Sequence, residues 1–172
     1  MPITYTSQDQ IEVYRFSIPA TVLIFFGALF LQAFVPRRLH FFSIFDLPLL
    51  VTIFFAVARR SQISGLITGG AIGMLQDALA GFPLGVFGIA KTVVGYGASS
   101  LGVRLDVENA GARFLVTLLF FAVHEVVYLV VARGLVGLPQ HGTFWHEVGA
   151  AFANAVLAPF LFAILDRFKQ RA

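Results

Sequence analysis

The sequence contains no cysteine and few charged residues for its length. Without cysteine the chain can form no disulfide, no thiolate metal site and no cysteine nucleophile. Only 12% of the 172 residues are charged, about half of the ~25% that is usual in soluble domains. Intrinsic disorder is excluded as well, because it requires low hydrophobicity together with high net charge.

Hydrophobic residues make up 58% of the chain, and phenylalanine alone occurs 20 times. The mean hydropathy is +0.85. This is more apolar surface than one core of this size can bury, so we predict an all-α polytopic membrane protein. The net charge of +3 is typical of positive loops on the cytoplasmic side of a membrane, and we expect no nucleic-acid partner.

Six apolar segments approach the ~20 residues that a membrane-spanning helix needs. They are roughly 16–35, 43–58, 61–80, 84–103, 114–138 and 147–165. The second is short and is interrupted by Asp46 and Pro48, so a re-entrant or steeply set segment is the alternative to a full span. The first has no positive n-region and no cleavage site after it, so we expect an uncleaved span.

We predict a single membrane domain with six spans over residues 16–166. We expect residues 1–15 to be a short cytoplasmic or interfacial segment and residues 167–172 to be a cytoplasmic tail. The pair Ser7 and Gln10 resembles a capping box, which predicts a short helical turn over residues 9–15.

The basic residues in the loops predict the orientation. With a cytoplasmic N-terminus, the positions on the inside are Arg15, Arg59, Arg60, Arg104, Arg113, Arg167, Lys169 and Arg171. The positions on the outside are Arg37, Arg38 and Arg133. This excess of eight over three predicts that both termini are cytoplasmic.

The third and fourth segments form a glycine-rich hairpin. Small residues recur at helical spacing on one face of each helix, at Gly65, Gly69 and Gly73 in the third and at Gly85, Gly88, Gly95 and Ser99 in the fourth. Such faces let two helices approach closely in a membrane. A turn signal, Gly81-Phe82-Pro83, joins the two helices.

Two charged residues lie within this hairpin, Asp77 before the turn and Lys91 after it. Their depths differ by about four residues, or ~6 Å of helix rise, which a lysine stem can span. A charge at mid-bilayer costs at least ~2.5–3.5 kcal/mol, so we expect an Asp77–Lys91 pair. Either it only holds the hairpin together, or the hairpin forms a packing platform for a partner span.

The fifth segment carries a second polar centre. His124 and Tyr128 share a helix face at i and i+4, and Glu125 lies beside them. One interpretation is a buried centre that pairs with Lys91 or with a partner helix. The other is a neutral, hydrogen-bonded glutamate that fixes helix packing. The sequence leaves both open.

The hairpin resembles the signature of the MreD family of rod shape-determining proteins. That family combines a G-x-x-x-G-x-x-x-D segment with a G-x-x-L-G turn and a later Gly-Tyr pair. Here the turn is Gly81-Phe82-Pro83-Leu84-Gly85 and the pair is Gly95-Tyr96. The positions that the resemblance covers are Gly69, Gly73, Gln76, Asp77, Gly81, Pro83, Leu84, Gly85 and Lys91.

The resemblance implies a non-enzymatic subunit of the bacterial elongation machinery in the cytoplasmic membrane, with no cofactor, metal or catalytic residue. The implied direct partner is MreC, a single-span protein. Through MreC the family connects to RodA, a class B penicillin-binding transpeptidase and MreB, and it contacts membrane lipids. The resemblance also implies a fold similar to the S component of energy-coupling-factor transporters.

That similarity implies an alternative function, a vitamin-binding transporter subunit. S components typically carry an Ala-x-x-x-Ala face on their first span. Here Ala20, Ala28 and Ala33 of the first span are not four apart, which argues against the alternative. An intramembrane enzyme is a third hypothesis, with Asp77, Lys91, His124 and Glu125 as its candidate groups.

Overall fold

The computed structural model describes residues 14–105, 107–139 and 143–171. Within these ranges six α-helices lie between two very short strands. The elements are β1 (Tyr14–Arg15), α1 (Ile18–Phe34), α2 (Leu47–Arg59), α3 (Gln62–Ala80), α4 (Val86–Arg104), α5 (Ala110–Leu129), α6 (Phe144–Leu165) and β2 (Gln170–Arg171).

Five of the helices in the described part of the chain are long and apolar enough to cross a membrane. Counted with their terminal turns they are Ile18–Arg37, Gln62–Ala80, Val86–Arg104, Ala110–Leu135 and Phe144–Phe168. The prediction of a polytopic membrane protein is therefore confirmed.

The remaining helix, α2, is too short to be counted with these five. It has 13 residues, or about 20 Å of length, against a hydrocarbon core of about 30 Å. The predicted start at residue 43 was wrong. His40–Ile44 form a 3₁₀ turn, and the α-helix begins at Leu47, directly after its N-cap Asp46.

The short helix α2 lies at the centre of the bundle. All but two of its residues are buried, and it contacts each of the other five helices. Backbone that ends below the membrane surface is tolerated where protein, rather than lipid, surrounds it. The position of α2 thus allows a helix too short to span the hydrocarbon core alone.

The closest helix contact is between α3 and α4. Gly65 lies against Gly95, Gly69 against the carbonyl of Lys91, and Gly73 against Phe87 and Gly88. A Cβ atom at Gly65, Gly69 or Gly73 would overlap backbone atoms of α4. The predicted tight packing is confirmed, and the expectation that a partner span binds these glycines needs correction, because α4 already covers them.

The two strands join the ends of the described chain. Tyr14 pairs with Arg171 and Arg15 with Gln170 in an antiparallel ladder. Both ends therefore lie on the same side of the bundle, so the chain crosses it an even number of times. The helical turn expected over residues 9–15 is not formed by Tyr14 and Arg15, and residues 9–13 lie outside the described part.

A pair of glycine-to-alanine variants tests the hairpin contact. Gly69→Ala would press its methyl group on the Lys91 carbonyl, so we expect a melting temperature several degrees lower in detergent. Gly27→Ala in α1 is the matched control, because its Cβ would meet nothing within 4 Å. That variant should be as stable as the parent or more so, since alanine favours helix by up to ~1 kcal/mol. Equal melting of the two variants would contradict the described contact.

Candidate functional site

The buried start of α2 is capped by side chains from three parts of the chain. The N–H of Asp46 donates to Asn154 Oδ1 at 2.9 Å, and the N–H of Leu47 donates to Gln32 Oε1 at 3.1 Å. The N–H of Leu49 donates to Asp46 Oδ1 at 2.9 Å. The first N–H groups of a helix lack partners within the helix, and these acceptors replace the water that a buried end cannot reach.

Asn154 of α6 also holds the turn before α2. Its Nδ2 donates to the carbonyls of Ile44 and Ala150, each at 2.8 Å. The side chain is fully buried and uses its amide oxygen and nitrogen in three hydrogen bonds. Asn154 therefore fixes the end of the 3₁₀ turn against α6.

An ion pair at the same place joins α2 to α4. Lys91 Nζ lies 2.6 Å from Asp46 Oδ2, and the lysine side chain has no exposed surface. The carboxylate sits at the N-terminus of α2, where the helix dipole favours negative charge. The predicted Asp77–Lys91 pair was therefore wrong, because the aspartate that Lys91 contacts lies on another helix.

A histidine extends this pair to α5. Lys91 Nζ is 3.3 Å from His124 Nε2, and His124 Nδ1 is 3.2 Å from Glu125 Oε1. An ammonium group only donates, so Nε2 accepts and the proton on Nδ1 is donated to Glu125. We call Asp46, Lys91, His124 and Glu125 the buried charge network. The predicted centre in the fifth segment does meet Lys91, through His124.

Aromatic rings enclose one side of the network. The ring of Phe87 stacks on Tyr128 with centroids 5.1 Å apart and lies nearly parallel to His124 at 6.0 Å. Lys91 Nζ is 5.0 Å from the Phe87 centroid, within the range of a cation–π contact. Tyr128 thus belongs to the wall of the network, not to its hydrogen-bonded chain.

The far end of the network reaches a cavity. Glu125 retains 22% of its side-chain exposure and lines a space of about 300 Å³ between α5 and α6. Arg133 and Glu147 also line this space. The network is thus closed to its surroundings around Lys91 and open at Glu125.

Asp77 has a different role, at the start of α4. Its carboxylate accepts from the N–H groups of Gly85, Phe87 and Gly88 at 2.9, 3.0 and 3.2 Å. Gly85 is the N-cap of α4 and has no side chain to cap the helix. Asp77, buried near the end of α3, supplies that cap across the turn.

The turn between the helices depends on two glycines with positive φ. Gly81 ends α3 at φ +70° and Gly85 begins α4 at φ +105°, where a side chain would be strained. Pro83 and Leu84 lie between them, and Leu84 is mostly exposed. The motif residues of the turn therefore shape the hairpin, while Gln76 stands apart and lines a cavity beside α1.

Sequence reasoning missed Asn154 and Gln32 and treated Asp46 only as an interruption. An aspartate followed by a proline in the first helical turn is a helix-start signal, and it points to Asp46 as a cap. A lone asparagine or glutamine in an apolar span is a typical interhelical hydrogen-bonding residue. The groups that Asn154 and Gln32 bind lie on other helices, so no local sequence pattern identifies them.

A model for the family described as rod shape-determining protein MreD matches residues 12–169. The chain belongs to the MreD family. No curated protein and no solved structure matches the chain, so the fold similarity to S components stays a prediction. MreD proteins are shape-determining proteins and are not a known enzyme family. The resemblance, which is sharpest over residues 65–96, is thus confirmed over most of this MreD-family chain, a multi-pass membrane protein.

In this MreD-family protein, breaking the ion pair should be costly. Asp46→Asn leaves the Lys91 ammonium buried without its carboxylate, and we expect a loss of roughly 3 kcal/mol in unfolding free energy. Adding Lys91→Met removes the stranded charge, so the double variant should be more stable than Asp46→Asn alone. Reversible unfolding in mixed micelles measures both. A double variant less stable than Asp46→Asn alone would contradict a direct Asp46–Lys91 coupling.

The cap supplied by Asp77 gives a second prediction. Asp77→Asn replaces one acceptor oxygen by an amide donor, which faces backbone N–H groups of α4, so we expect a loss of about 2 kcal/mol. Asp77→Ala removes both oxygens, so its melting temperature shows the stability of the protein without any cap from this residue. The check is the melting temperature in detergent, and an asparagine variant as stable as the parent would argue against the remote cap.

Proposed function

We propose that this protein is a non-enzymatic subunit of the bacterial cell-elongation complex in the cytoplasmic membrane, with MreC as its direct partner. Through MreC it acts with RodA, the class B penicillin-binding transpeptidase and MreB in peptidoglycan synthesis and rod shape. The observation that carries the proposal is the family match over residues 12–169. The pairing of β1 with β2 and the excess of basic residues on that side support cytoplasmic termini.

The arrangement of the site supports a scaffolding role for this protein. The buried charge network and its cap residues tie α1, α2, α4, α5 and α6 together at one level. The hairpin adds α3 by direct backbone contact with α4. Because these contacts hold the helices in fixed relative positions, the outer surface of the bundle keeps one shape. A partner helix needs such a surface for close packing.

For the partner span we propose the outward side of the α3–α4 hairpin. Along this side Gln62 of α3 donates to Ser100 of α4 at 2.9 Å, and Gly70 lies beside Thr92. We call it the outer hairpin face, and its members are Gln62, Leu66, Gly70, Met74, Ile89, Thr92, Val93, Tyr96 and Ser100.

This face combines exposed apolar side chains with small residues at its middle. Met74, Val93 and Tyr96 are all exposed, whereas Gly70 and Thr92 leave a shallow strip between them. Small residues let a second backbone approach closely, and van der Waals contact drives helix association in lipid. The glycines buried between α3 and α4 would shape this face indirectly, by setting the distance between the two helices.

A bulky substitution on the outer hairpin face tests the docking. Val93→Trp should reduce recovery of MreC in a detergent pull-down about tenfold, because an indole blocks close approach of a helix. Val22→Trp on α1 is the matched control, with the same change at a residue of similar exposure, 46% against 41%. We expect MreC recovery with Val22→Trp to equal that of the parent.

The reverse result, loss with Val22→Trp only, would move the docking surface to α1. The cellular role is tested separately by depleting the protein in a rod-shaped host and supplying each variant. Cells that keep their width and rod shape without the protein would contradict the elongation role. Cells rescued by Val22→Trp but not by Val93→Trp would link shape to the outer hairpin face.

A further inference from the structure

A second cavity lies between α1, α3 and the hairpin turn. Its volume is about 350 Å³, within the range of small-molecule sites. The polar residues that line it are Gln32, Arg37 and Gln76, and its apolar walls include Leu29, Leu79, Phe82 and Phe87. It lies where α1 and α3 both end, at the edge of the bundle.

One buried polar atom in this cavity lacks a hydrogen-bond partner. Gln76 is 8% exposed, and its Oε1 has no hydrogen-bond partner. A buried amide oxygen without a partner costs about 1–3 kcal/mol, so such atoms are uncommon in native structures. An N–H or O–H donor from a bound molecule would satisfy this oxygen.

The positive charge of Arg37 indicates that the bound molecule also carries a negative group. Arg37 contributes a guanidinium, whose contact within the described residues is the ring of Phe34 at 5.1 Å. No aspartate or glutamate lines the cavity in the described part of the chain. A guanidinium without a carboxylate favours a phosphate, which it can bind through two parallel hydrogen bonds.

We propose that this cavity binds the head group of an amphiphile that carries a phosphate and hydroxyl groups. The phosphate lies at Arg37, a hydroxyl donates to Gln76, and the apolar tail leaves along Leu79 and Phe82, which are exposed at the rim. Phosphatidylglycerol has this chemistry, and so does a polyprenyl phosphate that bears a sugar. The proposal does not depend on binding of MreC.

The experiment is native mass spectrometry of the full-length protein released from detergent. The protein is titrated with phosphatidylglycerol, phosphatidylcholine and a polyprenyl-phosphate sugar in parallel. We expect one phosphatidylglycerol or one polyprenyl-phosphate sugar to be retained about tenfold more tightly than phosphatidylcholine. Phosphatidylcholine keeps a phosphate for Arg37 but has no hydroxyl to donate to Gln76, and leaving a buried acceptor without a donor costs about that factor. The stronger of the first two identifies the source.

Two variants locate the site. Gln76→Leu and Arg37→Gln should each weaken retention about tenfold, while Arg38→Gln, at an adjacent exposed arginine outside the cavity, should not. Gln76→Leu removes an unsatisfied buried oxygen, so its melting temperature without lipid should be unchanged or higher. Added phosphatidylglycerol or polyprenyl-phosphate sugar should raise the melting temperature of the parent more than that of Gln76→Leu. Equal retention by the parent, Gln76→Leu and Arg37→Gln, or equal retention of phosphatidylcholine, would overturn the proposal.

Discussion

The ion pair between Lys91 and Asp46 is the interaction on which the rest of the bundle depends. A buried ammonium is tolerated only with a close counter-charge, and here the carboxylate lies 2.6 Å away. The same carboxylate caps α2. One side chain therefore both balances the charge of Lys91 on α4 and caps the start of the central helix. The shortness of α2, the turn before it and the position of His124 all follow from the place where these two charges meet.

Asp46, which is half-buried, and Asp77, which is buried, show two ways of placing a carboxylate within a membrane domain. Asp46 pairs with a side-chain cation, whereas Asp77 accepts from three backbone N–H groups at the start of α4. Backbone donors at a helix N-terminus carry partial positive charge, so Asp77 needs no lysine. This is why proximity of Asp77 and Lys91 along the hairpin did not predict their partners: the nearer donors belong to the main chain.

Local patterns predicted most of the fold but only part of the site. The apolar segments predicted the long helices, and the four-residue spacing of Gly65, Gly69 and Gly73 predicted the close hairpin. The spacing within the fifth segment placed His124 and Tyr128 on one side. The contacts of Asp46 with Lys91 and Asn154 join residues 45 and 108 positions apart, and no periodicity within one helix encodes such a pairing.

The central place of α2 has a consequence for how the chain enters the membrane. The helix is made second, but Lys91 and Asn154, which bind Asp46 at its start, belong to segments made later. An aspartate in an apolar segment disfavours insertion into the membrane. Lys91 can neutralise this carboxylate only once the fourth segment has been synthesised, and Asn154 can accept from the N–H of Asp46 only after the sixth. The contacts at the start of α2 can therefore be completed only when nearly the whole chain has been made.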